Sequence, residues 1–514
     1  MSLKKNVVTN YLGQAWSAIM GLAFIPLYIS YLGMEAYGLI GLFALTQVWL
    51  TLLDMGMTPT LNREMARFTA GAHSPQSIRD LLRSVEIVCF TLAGLIALGL
   101  WGASGYLATH WLKPERLSTE VVTLAIAIMA LIVALRFCEG IYRSSLFGLQ
   151  RQVWYNGANS LLATVRHGGA VAVLAWVSPT IEAFFIWQAA ISLLTVLVLA
   201  MRVHEALPAT ASRGRFSRRA LAGIWGFASG MMAITVLGLL LTQADKVLLS
   251  RLLPLELFGY YTLAATVAGA LYMLIVPITQ AVYPQMVEMS VRDDRADLAA
   301  VYHQGAQLVT VLTAPAAMIL GFFAGGVVFM WSGDARLADN TAPILSALVL
   351  GNFLHGLMHL PYQLQLAQGW TSLTIKTNII AVIAFIPAIL ITVPRYGAVG
   401  AAWIWLALNA CYVLIVIQLM HRKLMPAEKF RWYFGDVALP AGAALAVVLL
   451  AQQVQPTGYQ SRVHWLAFLA MAGFLALVAS TAAASLTRNR LLRMVRSRTS
   501  GPAINRHDSE ITVP

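Results

Sequence analysis

Apolar runs long enough to form membrane-crossing helices recur along the whole chain, separated by short polar stretches. A helix rises about 1.5 Å per residue, so roughly 20 apolar residues cross a hydrocarbon core of about 30 Å. The runs fall at 8–31, 37–58, 85–109, 119–141, 153–177, 181–203, 224–250, 259–284, 307–331, 341–363, 372–393, 397–420, 437–453 and 462–485, which makes fourteen. The run 437–453 is short for a span. The opening stretch 22–68 sets the pattern, LAFIPLYISYLGMEAYGLIGLFALTQVWLTLLDMGMTPTLNREMARF. An apolar helix containing Pro26 reaches Tyr31-Leu32-Gly33, a turn carries Glu35 and Tyr37-Gly38, and a second apolar helix runs to Asp54-Met55-Gly56 before Arg63 and Arg67. This is a transmembrane hairpin.

The hairpin turn comes back. Leu253-Pro254-Leu255-Glu256-Leu257-Phe258-Gly259-Tyr260 stands between two apolar runs as Leu32-Gly33-Met34-Glu35-Ala36-Tyr37-Gly38-Leu39 does. A weaker third version is Val393-Pro394-Arg395-Tyr396-Gly397-Ala398-Val399-Gly400. Membrane proteins with related halves often place a substrate site between them.

Composition confirms the class. The 514 residues are 59% hydrophobic and 11% charged, with a mean hydropathy of +0.71, whereas soluble domains carry about 25% charged residues. Cys89, Cys138 and Cys411 all lie in apolar runs, which suggests neither disulfides nor a metal cluster. Lys4 and Lys5 precede an apolar run too long for a signal peptide and without a small-residue cleavage site, so the first helix is expected to remain as an anchor. The net charge of +13 would suit a nucleic-acid partner, but the positions of the charges argue otherwise. With Lys4 inside, twenty-six of the 35 Lys and Arg fall on one side and six on the other (Lys113, Arg116, Arg251, Arg336, Arg395 and Arg462). That asymmetry follows the positive-inside rule and predicts that both termini are cytoplasmic.

The polar, basic stretch 204–220 reads as a cytoplasmic linker. The expected organisation is an N-terminal six-helix lobe at 1–203, this linker, a second six-helix lobe at 221–421, two additional transmembrane helices at 422–486 and a basic cytoplasmic tail at 487–514, partly disordered. The fold class is all-α. Arg488 to Arg498 alternates Arg with apolar residues and suits either the anionic inner leaflet or a stop-transfer flank.

Three Lys or Arg remain inside apolar runs, where charge is costly and usually faces a bundle interior or aqueous cavity. Arg136, Glu139 and Arg143 are spaced by three and four and share a helical face. On the next run, Asn159 and Arg166 are seven apart and share another, with His167 beside them. A guanidinium fork donates paired hydrogen bonds to phosphate and keeps its charge at any physiological pH. Arg136 and Arg166 could together hold a diphosphate. The plainer alternative pairs Arg136 with Glu139 along the helix while Arg143 snorkels to the interface. Asp245-Lys246, near the outer end of its run, reads as a structural ion pair. His355 and His359 have the spacing of a metal pair but no third ligand nearby, so a cavity-lining, hydrogen-bonded or proton-sensing role is expected. Pro26, Pro277, Pro315 and Pro361 are expected to kink helices. No phosphate-binding glycine loop with its lysine and no nucleophile–base–acid set is found. The chain is read as a non-enzyme without metal or cofactor.

Asn10-Tyr11-Leu12-Gly13-Gln14, Pro26-Leu27-Tyr28, Leu32-Gly33-x-Glu35-x-Tyr37-Gly38, Asp54-x-Gly56 and Arg63 together resemble the polysaccharide-biosynthesis flippases. These are O-antigen-type lipid-linked oligosaccharide translocases of the multidrug/oligosaccharidyl-lipid/polysaccharide exporter superfamily. Asp245-Lys246 with 253–260 resembles the matching part of their second half. The resemblance implies two six-helix lobes facing a central cavity, plus two extra C-terminal helices. It implies movement of an undecaprenyl-diphosphate-linked glycan between leaflets of the bacterial inner membrane by alternating access. It assigns Arg136 and Arg166, with Arg143 nearby, to the diphosphate, and implies a proton or sodium gradient and partnership with glycan polymerase and chain-length proteins. Three rivals stay open. A drug or cation antiporter of the superfamily would want acidic cavity residues, a peptidoglycan-precursor flippase would share the cationic cavity, and a glycan polymerase or ligase would want a large outer loop.

Overall fold

The computed structural model describes residues 3–53, 57–69, 71, 73–208, 214–217, 238–240, 242–370 and 372–489. Asp54, much of the linker 204–220, most of the seventh run 224–250 and the tail beyond 489 lie outside the described residues. Within them the secondary structure is helical, with no strand. The all-α membrane fold expected from the pattern is the fold observed. Ten helical stretches are long and apolar enough to cross a membrane. One of these, Ser372–Leu424, holds two of the runs, 372–393 and 397–420. Ile25–Leu53 continues through a sharp turn at Gly33 (φ 81°), and Ser372–Cys411 through another at Gly397 (φ 59°). Both angles lie in the left-handed region that a side chain disfavours, which is why the hairpin motif carries glycine there. The short run 437–453 lies in a longer apolar stretch, Arg431–Gln452, of 22 residues.

Proline marks several helix breaks. It lacks an N–H and crowds the carbonyl four residues back. The break at Phe24 falls just before Pro26, and the one at Met358 just before Pro361. Pro315 instead lies inside the unbroken helix Arg295–Phe322.

The chain packs as two compact units, residues 1–267 with 378–404 and residues 268–377 with 405–514. The first is built around Thr119–Gly148, which packs on Pro75–Tyr106, Ile181–Ala206 and Met57–Thr69. In the same unit Leu3–Ala23 lies along Gln152–Trp176.

The second unit is built around Arg295–Phe322, against which Tyr272–Val291, Ala335–Leu357, Leu439–Gln452 and Arg462–Ala483 pack. One polar stripe on this helix fastens the C-terminal helices. His303 is fully buried between two carboxylates. Its Nδ1 faces Asp436 Oδ2, and its Nε2 lies 2.9 Å from Glu428 Oε2. One turn on, Gln307 accepts from the backbone N–H of Leu486 at 3.0 Å and donates to the Gly435 carbonyl at 3.4 Å. Beside them Tyr302 meets His421 Nε2 at 3.2 Å, and the other ring nitrogen bonds the Ile417 carbonyl at 2.9 Å. Because a carbonyl only accepts, His421 carries its proton on Nδ1 and the tyrosine donates to Nε2.

Leaving a buried polar group without its hydrogen-bond partner costs about 1–3 kcal/mol. His303→Ala is therefore expected to destabilise the protein by that amount, because Asp436 is fully buried and its Oδ1 already lacks a partner. Thermal unfolding in detergent checks this, and an unchanged midpoint would refute it.

Candidate functional site

Helical period and packing bring the charged residues of the fourth and fifth runs together. Arg136, Glu139 and Arg143 lie on Thr119–Gly148, and Arg166 lies midway along Gln152–Trp176. Ile181–Ala206 packs on both of these helices. It contributes Gln188 and Thr195, which are seven residues apart on one face and are both buried.

Arg136 donates from Nη1 to Gln47 Oε1 and from Nη2 to Gln188 Oε1 at 3.5 Å. Its guanidinium carbon stands 5.2 Å from the centre of the Phe43 ring, within reach of a cation–π contact. Arg166 donates from Nη2 to Thr195 Oγ1 at 3.1 Å and lies 4.0 Å from Glu139 Oε2. Glu139 therefore faces Arg166 across the helices, and no hydrogen bond or ion pair among the described residues joins it to Arg136 along the helix. The two arginines and Glu139 are close enough for their charges to act on one another. Arg166 and Glu139 are largely enclosed, with side chains 13% and 15% exposed.

This arrangement is incomplete in a specific way. Neutral amides and a hydroxyl supply hydrogen bonds to two cations, but one carboxylate supplies the only opposite charge among these partners. The Nε–H of each arginine is buried with no acceptor. Like charges in a low-dielectric setting repel strongly, and an anionic group with several oxygens would meet both deficits at once. Arg143 is exposed, beside Tyr155.

The other expected site residues are dispersed. Asn159 donates to Ser17 Oγ at 3.0 Å, and Trp16 donates to Thr164 at 2.9 Å, so this face ties the first helix to the fifth run. His167 stacks on Phe24 and meets the Tyr28 hydroxyl at 3.1 Å. Asp245 and Lys246 do not pair with each other. Tyr261 donates to Asp245 Oδ2, and Lys246 donates to Gln243 at 2.9 Å. Neighbouring residues on a helix point about 100° apart, which separates them. In the second unit His355 Nδ1 lies 2.9 Å from the Tyr272 hydroxyl, and His359 Nδ1 bonds the His355 carbonyl at 3.2 Å. Asn352 accepts from Tyr272 at 3.2 Å and from Trp405 at 2.9 Å. The histidines thus belong to an aromatic hydrogen-bonded cluster, and no metal-ligand grouping occurs among the described residues. Gln47, Gln188 and Thr195 escaped the sequence reading. Their signal was polarity inside an apolar run, without charge to draw notice.

The sequence model of the family described as polysaccharide biosynthesis protein matches residues 3–290 of this chain. The chain belongs to the polysaccharide biosynthesis protein family. A Shigella flexneri protein named as a candidate O-antigen transporter is 20% identical over 405 residues, covering 79% of this chain and 94% of the relative. The solved lipid II flippase MurJ, in an inward closed conformation, superposes with a TM-score of 0.69 at 14% identity, over 95% of this chain and 99% of that one. An inward-facing multidrug resistance transporter of the MATE family, of the MOP superfamily, superposes with a TM-score of 0.60 at 14% identity, over 80% and 96%. At such identities the structural likeness establishes the fold alone, a multi-pass membrane fold. The Shigella flexneri relative is named for transport, in line with the expectation of a transport protein.

Removing one of two like charges that share a single carboxylate relieves their mutual repulsion in a low-dielectric setting. Arg136→Met is accordingly expected to leave the thermal midpoint of the purified protein unchanged or to raise it. A fall equivalent to more than about 1 kcal/mol would mean that the arginine pair serves the fold and not a ligand.

Proposed function

We propose that this family member moves an undecaprenyl-diphosphate-linked oligosaccharide from the inner to the outer leaflet of the bacterial cytoplasmic membrane by alternating access, for a surface polysaccharide such as O-antigen, capsule or exopolysaccharide. The observation that carries the reading is the enclosed pair Arg136 and Arg166, two cations against the single carboxylate of Glu139, each with a buried N–H unanswered. A diphosphate brings the missing negative charge and several acceptor oxygens, and the guanidinium fork binds such oxygens in pairs. Glu139 holds Arg166 in place and keeps the site from being so positive that release is blocked. Exposed Arg143 gives the anion a first contact. A drug cation would ask for the opposite balance of charge. Family membership and the name of the Shigella flexneri relative favour a glycan carrier over a drug. Both termini are assigned to the cytoplasm on the charge asymmetry, and the lobes to 1–203 and 221–421.

Extraction of lipids from a deletion strain tests the reading directly. A complete undecaprenyl-diphosphate-linked repeat unit is expected to accumulate and would reveal the glycan by mass spectrometry. Intact surface polysaccharide with no accumulated lipid would overturn the reading, and accumulation of a peptidoglycan precursor would replace the substrate. In complementation, Arg166→Ala and Arg166→Lys are both expected to abolish surface glycan at normal protein level, because a point charge does not replace the fork.

A further inference from the structure

The two related turns, 32–39 and 253–260, do more than resemble each other. They cross. Gly38 of the first lies against the backbone carbonyl of Leu255. Gly259, its counterpart in the second, lies against the carbonyl of Met34, where a Cβ would stand 2.6 Å from the oxygen. Met34 and Leu255 are themselves counterparts in the two motifs. One turn beyond, Gly41 faces Thr262, the residue at its own register. The contact is reciprocal, as in a twofold interface between identical subunits, but here two copies of a motif make it within one chain. Small residues allow backbones to approach this closely. The Leu255 and Met34 side chains pack beside the same glycines, and the Thr262 side chain sits against Gly41.

A single loop clasps both turns. The Glu35 carboxylate, 5% exposed, accepts backbone N–H groups from Glu115 at 2.6 Å, Arg116 at 2.9 Å and Leu117 at 3.3 Å. Glu256, at the same register of the second motif, pairs with the Arg116 side chain at 3.3 Å. Leu255 donates its backbone N–H to the Lys113 carbonyl at 3.2 Å, and Lys113 Nζ reaches the Leu252 carbonyl at 3.4 Å. Two repeat-related glutamates thus hold the same short segment, one through its backbone and one through its side chain. The loop carries Lys113 and Arg116, two of the few basic residues assigned to the outer side.

We infer that this crossing is a closed gate on the outer face, latched by Glu35 and Glu256 on residues 113–118, and that the turns part at Gly38 and Gly259 to release cargo outward. The inference rests on the flippase reading for what passes, while the opening itself can be measured without substrate. The chemistry suits a reversible latch. The bonds made by both carboxylates can be taken over by water once the turns separate. The crossing also accounts for the first compact unit running on to Val267. The second motif is gathered against the first.

The reporter is Ala36→Cys, at a position 1% exposed beside the latch, in a Cys411→Ser background because Cys411 is the exposed native thiol. Intact spheroplasts are treated with a membrane-impermeant maleimide. Slow labelling is expected in this parent, with a rise of about tenfold on adding Glu35→Gln, the scale of one lost charge-assisted hydrogen bond. A smaller rise is expected with Glu256→Gln, whose carboxylate is more exposed and so disturbs folding less. In the opposite direction, Arg116→Cys with Glu256→Cys, joined by a short bifunctional thiol reagent, is expected to suppress reporter labelling and surface glycan together. Fast labelling in the parent, labelling only from the cytoplasmic side, unchanged rates in both glutamine variants, or normal glycan export by the cross-linked protein would each overturn the gate. If the labelling behaves as expected but no lipid-linked glycan accumulates in the deletion strain, the gate stands and the substrate reading fails.

Discussion

Hydrocarbon offers no water to a polar group, and the rest of this structure follows from that constraint. Every backbone amide in a span must be answered within the protein, which restricts the chain to helices. Side chains obey the same demand. Thr91, Thr310 and Thr313 turn their hydroxyls back onto the carbonyls of Ile87, Ala306 and Val309. Asn352 collects both the Tyr272 hydroxyl and the Trp405 indole N–H. His303 sits between two carboxylates. Against this background of answered groups, the two arginines of the first unit stand out, because their hydrogen bonds are mostly met and their charge is not.

The same constraint separates fastening from function. The His303 and Gln307 stripe joins the central helix of the second unit to the C-terminal helices through hydrogen bonds made by buried side chains. The Arg136 and Arg166 cluster is held by neutral partners and one carboxylate, and keeps a surplus of positive charge. A fold gains nothing from that surplus, since buried ion pairs are at best weakly stabilising even when balanced. A bound anion does gain from it.

Much of this was legible in the chain alone. Apolar run length predicted the helices, since span length is dictated by the thickness of hydrocarbon and not by neighbours. Gly33 and Gly397 marked their turns because positive φ is a local backbone requirement. Arg136 and Arg166 announced themselves because a charge in an apolar run is conspicuous whatever surrounds it. The repeat at 32–39 and 253–260 was visible as letters, as was the membership of the family.

Contacts across the chain were not legible, and they decide the chemistry. The sequence offered Glu139 to Arg136 three residues away, yet packing turned it toward Arg166. Asp245 and Lys246 read as a pair because they are adjacent, and helical geometry pointed them at different partners. Gln47, Gln188 and Thr195 are ordinary polar residues until the packing of four helices brings them to the guanidinium groups. Nothing in the two repeated turns says that they touch, or that both glutamates close on one loop. Local geometry and solvent are written in neighbouring residues, whereas pairings between helices depend on which faces pack, and only the tertiary structure decides that.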